Sequence, residues 1–237
     1  GISGKRIEAG LNSIGVSGKD LDAVFVTHEH IDHIAGLGVL SRRYGIPIYT
    51  TEKTADAIQE TKSVGKIPEE LFHPICAEEA FTIKDLTVNP MHISHDAADP
   101  VGYRFSYGSS HAAVCTDLGT YNDYTVECLK GMDVLLLEAN HDVNMLQVGS
   151  YPYYLKQRIL GNRGHLSNEN SGRLLSRVLH DNLKKVILGH LSQENNLPEL
   201  AYETVRMEID LADNPYHGGD FPIQVAKRNE VSEMICF

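Results

Sequence analysis

Tryptophan is absent from this 237-residue chain, cysteine occurs four times, and basic residues are outnumbered, 21 Lys and Arg against 32 Asp and Glu. Each scarcity excludes something. No apolar run approaches the roughly 18 residues that a membrane-spanning helix needs, and the opening GISGKRIEAG lacks the apolar centre of a secretion signal, so the expectation is a protein without a membrane segment, in the cytoplasm. Cys76, Cys115, Cys128 and Cys236 are scattered and form no CxxC pair, which indicates neither a disulfide framework nor a cysteine zinc site; reduced, mostly buried thiols are expected. The net charge of -11 argues against a broad basic face for holding nucleic acid and leaves only local clusters at Arg42-Arg43, Lys184-Lys185 and from Lys156 to Arg163. GxSxG, a Walker loop and GxGxxG are all missing, which removes the usual serine-nucleophile, P-loop and dinucleotide readings.

Histidine is what the chain has in excess, 12 in all, several of them clustered beside aspartates. The remaining composition, 42% hydrophobic and 22% charged, is that of an ordinary globular protein with a normal core. Neither a linker nor a repeat interrupts residues 1–237, which read as one domain of mixed α/β layers.

The local patterns place the histidines. AVFV (23–26) reads as a short buried strand that runs straight into THEHIDH. Ile34, Leu37, Leu40 and Tyr44 recur at helical spacing, and Gly45 stands where a C-cap would. A strand IPIYT and a helix EKTADAIQETK follow, then an expected antiparallel meander from Leu71 to Ser110, buried strands at 112–116 and 134–139, and a helix capped by Ser167 with Leu174, Leu175, Val178 and Leu179 as its apolar stripe. Strand VILG, helix ELAYETVRMEI and strand FPIQVAKR complete the chain.

His28, His30, Asp32 and His33 lie within six residues, and histidines two apart on extended chain project to the same side, as a chelate requires. Four such donors are too many for one ion and too few for two closed sites, so further ligands are demanded. His95 in HISHDA, Asp117 in TDLG and His190 in GHLS each stand at or just past a strand end. The set then divides into His28, His30 and His95 for one metal and Asp32, His33 and His190 for the other, with Asp117 bridging. Imidazole and carboxylate suit Zn²⁺ first, with Mn²⁺ or Fe served by the same donors. Individually, His95 and Asp117 are also ordinary turn residues and His190 an ordinary surface histidine; only the combination with HxHxDH is specific.

THEHIDH followed by SHDA, TDLG and GHLS resembles the metallo-β-lactamase superfamily over essentially the whole chain. Within it, HEHIDHIAGLGVL, SHDAADPVGYRF, EANHDVNML, GHLSNENS and GHLSQENN resemble the YycJ-like (WalJ-like) subgroup, described as including exonucleases that act on DNA ends. The resemblance implies a four-layer αββα sandwich with a dinuclear site at one edge of the paired sheets. Members of the family begin with about two strands ending in Asp-Ala-Gly, whereas this chain opens at Gly1-Ile2, so N-terminal strands of the first sheet are expected to be missing.

Two divalent cations about 3.5–4 Å apart lower the pKa of a bridging water and hold the hydroxide in line with a phosphoryl or carbonyl group. Asp32 is a ligand and also the carboxylate best suited to orient that hydroxide. For the leaving oxygen, a histidine in a comparable segment of the tRNA-maturing endonucleases is assigned the proton-donor role, which implies His165; the plain reading is a helix-start histidine bonded to backbone. His141 and Ser167 are further substrate-side candidates, His141 with Glu138 as a support group, Ser167 as the start of a phosphate-cradling helix. Phosphodiester cleavage in nucleic acid is the leading expectation, with carbonyl hydrolysis of the thioesterase, lactonase or β-lactamase kind as the alternative. The stretch YPYYLKQRILGNRGH either lines a single strand by stacking and charge or is a packed tyrosine corner on a solvated helix.

Overall fold

The computed structural model describes residues 2–237. In chain order it contains α1 (Gly4–Ser13), β1 (Val24–Phe25), α2 (Ile31–Ile34), α3 (Leu37–Tyr44), β2 (Ile48–Thr51), α4 (Glu52–Glu60), β3 (Phe72–Ile75), β4 (Phe81–Ile83), β5 (Leu86–His92), β6 (Val101–Tyr107) and β7 (Ser110–Cys115). There follow α5 (Asp123–Leu129), β8 (Val134–Glu138), α6 (Val143–Val148), α7 (Tyr153–Leu160), α8 (Asn168–Ser176), β9 (Lys185–Gly189), α9 (Pro198–Leu211) and β10 (Ile223–Val225).

These strands form two sheets. One is parallel, in the order β1-β2-β3; the other runs β10-β9-β8-β7-β6-β5-β4, antiparallel from β4 to β7 and parallel from β7 to β10. Apolar side chains explain the layering. Ile34, Leu37 and Ile58 from the helices pack with Val26, Ile48 and Ile67 on the outside of the small sheet. On the far side of the large sheet, Leu135, Leu137 and Leu188 meet Leu174, Leu175, Val205 and Ile209 of α8 and α9. Between the sheets, Val88, Val101 and Tyr103 pack on Phe25, Ile75 and Phe81, and the buried Tyr103 hydroxyl donates to the Val26 carbonyl across 2.8 Å. Each fully buried aliphatic or aromatic side chain contributes about 1.5–3 kcal/mol by removal from water. The result is the α/β sandwich of four layers, helix, sheet, sheet, helix, that the resemblance implies.

Three expectations need correction. The apolar stripe from Ile34 to Tyr44 is two helices, broken at Ala35-Gly36, because α1 packs across the joint: a Cβ on Gly36 would lie 2.6 Å from Ile7 Cδ1 and 2.7 Å from the Ile2 carbonyl. The cap itself is as expected, with Gly45 at φ 67°. The expected meander holds only from β4 to β7, since β3 leaves it to extend the small sheet in parallel beside β2. The thiols are not mostly buried: Cys76 and Cys236 are exposed, Cys128 is half-buried and Cys115 alone is buried. Among the described residues no helix is long and apolar enough to cross a membrane.

The topology explains why distant ligands meet. Strands β7, β8 and β9 are parallel, and β5 is antiparallel to a strand that is itself antiparallel to β7, so all four end at the same edge. Chains leaving that edge carry His95, Asp117, Glu138 and His190, and the exit from β1 brings His28 to the same place.

Candidate metal centre

Four of the other six expected donors, His28, His33, His95 and His190, lie around Asp117. This carboxylate is buried, at 1% exposure. Its Oδ1 lies 3.4 Å from His190 Nε2, 3.7 Å from His95 Nε2 and 4.0 Å from His28 Nε2, and its Oδ2 lies 3.2 Å from His33 Nε2. Asp32 Oδ2 is 3.4 Å from His190 Nε2 and 3.7 Å from His33 Nε2. Groups able to hold an ion, with donor atoms within 4.8 Å of one another, are His28-His30-His95, Asp32-His33-His190 and His28-His33-Asp117. The first two are the division expected from the sequence.

Hydrogen bonds behind the rings fix which nitrogen faces inward. Thr27 Oγ1 lies 3.1 Å from His28 Nδ1 and 3.3 Å from His33 Nδ1, and His95 Nδ1 donates to the Gly164 carbonyl at 3.0 Å. The inward atoms have no such satisfaction: His28 Nε2, His33 Nε2 and Asp117 Oδ2 are buried without a hydrogen-bond partner. Unpaired polar atoms are costly in an interior, and three of them facing one another, of acceptor type, fit divalent cations. Burial first, then the neighbouring His33, pulls the His28 pKa down to about 3, so its ring is neutral and able to bind a cation. Burial would raise Asp117, but His33, His190 and His28 outweigh it and hold the carboxyl well below the usual range. Asp117 and His190 also adopt left-handed backbone, φ 60° and 56°, a conformation costing about 1–3 kcal/mol of the kind that gathers at functional sites.

A fourth group of donors is Asp117, Glu138, His165 and His190. Glu138 is fully buried, and its Oε1 accepts from His165 Nδ1 and from His190 Nδ1, 2.8 Å each, while Oε2 accepts from the backbone N–H of Leu118 and Leu166 at 2.8 and 3.0 Å. Burial would raise this carboxyl, yet the two histidines hold it at about 2. In return His165, which burial alone would lower, is raised above the ordinary histidine value by Glu138. Its Nδ1 is thereby engaged and its other nitrogen stands at the cleft.

That cleft has a volume of about 1080 Å³ and takes in His30, Asp32, Asp117, His165 and His190. Its walls carry Arg158 from α7 on one side and Lys227 and Arg228 after β10 on the other. Two expected substrate contacts are not brought to it. His141 is buried, at 1% exposure, outside the cleft lining, and Glu138 serves His165 and His190 rather than His141. Ser167 is buried too, and its hydroxyl accepts from Asn170 N at 3.2 Å; a helix start so enclosed cannot cradle a phosphate. Both sit where the segment after β8 pairs with the residue capping α8, at the His141–Ser167 bridge. The basic pairs are likewise absorbed: Arg42 donates to Val64 and Lys66 carbonyls, Arg43 pairs with Glu8, and Lys184 with Asp133.

Sequence reasoning missed several supports. Arg163 donates from Nε and Nη2 to the His95 carbonyl at 3.1 and 3.0 Å, Arg158 pairs with Asp96, and Asn140 Nδ2 donates to the His190 carbonyl at 2.8 Å. Arg158 and Arg163 flank Gly164, whose missing side chain lets the turn close on the carbonyls of Arg158 and Ile159. Asp96 next to His95 was the one local signal.

The profile of the β-lactamase superfamily domain matches residues 12–190. The chain is 42% identical over 213 residues to the exodeoxyribonuclease WalJ of Streptococcus pneumoniae, covering 90% of this chain and 79% of that one. It is 38% identical over 210 residues to the exodeoxyribonuclease YycJ of Bacillus anthracis, covering 89% and 79%. Among solved structures, the metallo-β-lactamase fold protein YhfI of Bacillus subtilis superposes with a TM-score of 0.66 at 18% identity over 91% of this chain and 78% of its own. The chain belongs to the metallo-β-lactamase superfamily and is similar within it to the WalJ and YycJ proteins.

Proposed function

We propose that this protein is a dinuclear metal-dependent nuclease that removes nucleotides from DNA ends, with His28, His30 and His95 holding one cation, Asp32, His33 and His190 the second, and Asp117 between them. Zn²⁺ suits this nitrogen-rich set first, and Mn²⁺ or Fe are served by the same donors. The similarity to two exodeoxyribonucleases supports the substrate class. The observation that carries the chemistry is His165, anchored at Nδ1 by Glu138 and open to the cleft beside the ligands.

Bound cations would supply an acidified water and positive charge for a phosphoryl oxygen. The residues do the rest. Asp32, whose carboxyl is held ionised chiefly by the neighbouring His190, would orient the attacking water. His165 stays protonated above the ordinary histidine range and gives its proton to the departing oxygen. Glu138 remains charged and holds both imidazoles in register.

The test is turnover of a panel by metal-loaded protein: end-labelled single- and double-stranded DNA, RNA, a thioester and a lactone. Shortening of DNA from its ends supports the reading. Turnover of the thioester or lactone, with DNA untouched, overturns it in favour of a carbonyl hydrolase.

A further inference from the structure

Helix α7 contributes to the cleft yet buries none of its own residues. Its position is nonetheless fixed. Lys156 Nζ donates to the carbonyls of Gln147 and Gly149 at 2.8 and 2.7 Å, Arg158 pairs with Asp96, and the Ile159 carbonyl accepts from His165 N at 3.0 Å. A well-anchored helix has no need to display aromatic rings to water, but Tyr153 and Tyr154 are 76% and 74% exposed. The expected tyrosine corner is therefore not packed.

The geometry of the helix says where these rings lead. Leu155 and Arg158 of α7 line the cleft, and so does Tyr151, two residues before the helix begins. Tyr154 precedes Arg158 by four residues, so the two are neighbours along one helix face, and Arg158 is the one of the pair that lines the cleft. Arg158 Nε and Nη2 are both directed at Asp96, beside the ligand His95, which leaves Nη1 free. The ring of Tyr151 and the Arg158 guanidinium thus share the cleft wall beside the metal donors, and the exposed ring of Tyr154 stands one turn from Arg158 on the same helix. Aromatic faces alternating with a cation suit unpaired bases joined by phosphates.

We propose that α7 is a platform for an unpaired DNA strand: Tyr154 and Tyr151 stack on bases outside the metal centre, and Arg158 meets a backbone phosphate as the strand enters. This rests on the nuclease reading and deepens it, assigning a single-stranded segment to a particular wall of the cleft.

The test measures binding of a fluorescent single-stranded oligonucleotide with phosphorothioate linkages, which resist cleavage, to the metal-loaded full chain. The Tyr151→Ala/Tyr154→Ala double variant should bind at least about tenfold more weakly, equivalent to about 1.4 kcal/mol and within the range of base–aromatic stacking. The Tyr151→Phe/Tyr154→Phe pair keeps both ring faces and should bind within about twofold of the parent. Unchanged affinity in the alanine pair, or equal losses in both pairs, overturns the platform while leaving the nuclease reading standing. No binding of any oligonucleotide by the parent protein overturns both.

Discussion

His190 donates from Nδ1 to Oε1 of the fully buried Glu138 across 2.8 Å, so Nε2 is the nitrogen that His190 presents to Asp32 and Asp117. The same Oε1 receives Nδ1 of His165. One carboxylate oxygen thus sets the tautomers of both His190 and His165, and Oε2 ties that arrangement to the turns after β7 and before α8 through Leu118 and Leu166.

Replacing Glu138 with Gln keeps the volume but substitutes an amide, which cannot accept at both positions. Metal affinity should fall about 10–100-fold, as when such supporting partners are removed elsewhere. Competition with a chromogenic chelator measures it; unchanged affinity would show that the imidazoles orient themselves without Glu138.

His165→Ala should separate chemistry from binding. As proton donor His165 is worth about 10²–10⁴ in kcat, and metal content should stay at the parent value. His28→Ala, by contrast, should lose bound metal. Elemental analysis beside single-turnover rates distinguishes the two, and loss of metal in His165→Ala would make it a ligand instead, since it also stands within the Asp117, Glu138 and His190 group.

The site's legibility in the sequence follows its sequence spacing. HxHxDH brings four donors together locally, and strand ends announce His95, Asp117 and His190, so the residues that gather around Asp117 could be read, while the four-layer fold came from the resemblance those motifs carry. Glu138 could be recognised as a strand-terminal acid, but its partners lie 27 and 52 residues away and depend on β8 lying next to β9. His141 and Ser167 looked like site residues for the converse reason: they sit close in sequence to His165 and Glu138, yet both are buried at the bridge they form with each other. The break between α2 and α3 follows from α1, whose sequence GKRIEAGLNS carries little apolar signal of its own.

Metal removal should cost stability. Unpaired buried atoms on His28, His33 and Asp117 would be satisfied by bound cations, and a ligand at about a thousand times its dissociation constant contributes about 4 kcal/mol. For a chain of this size that corresponds to a melting temperature lower by on the order of 10 °C in the presence of a chelator. Calorimetric scans with and without EDTA check this, and coincident transitions would argue that nothing binds.

His141 gives a pH signature. Burial first of all lowers its pKa from 6.5 to about 4, and neither ring nitrogen has a hydrogen-bond partner. Between those values the unfolded chain binds the extra proton and the folded one does not, so the stability present above pH 6.5 is lost as pH falls, by up to about 3 kcal/mol near pH 4. Denaturant melts of the parent and of His141→Leu across that range should show a shallower slope in the variant; identical slopes would mean that His141 takes up its proton without cost.

The central claim is that the Asp117-centred cluster cleaves DNA at its ends. The direct measurement is the length distribution of end-labelled DNA after incubation with metal-loaded protein, beside Asp117→Asn, which keeps a residue tolerant of the left-handed backbone and removes the charge. Stepwise shortening by the parent, abolished in Asp117→Asn and by EDTA, is the predicted result. Intact DNA with the parent, or equal shortening by Asp117→Asn, would contradict it.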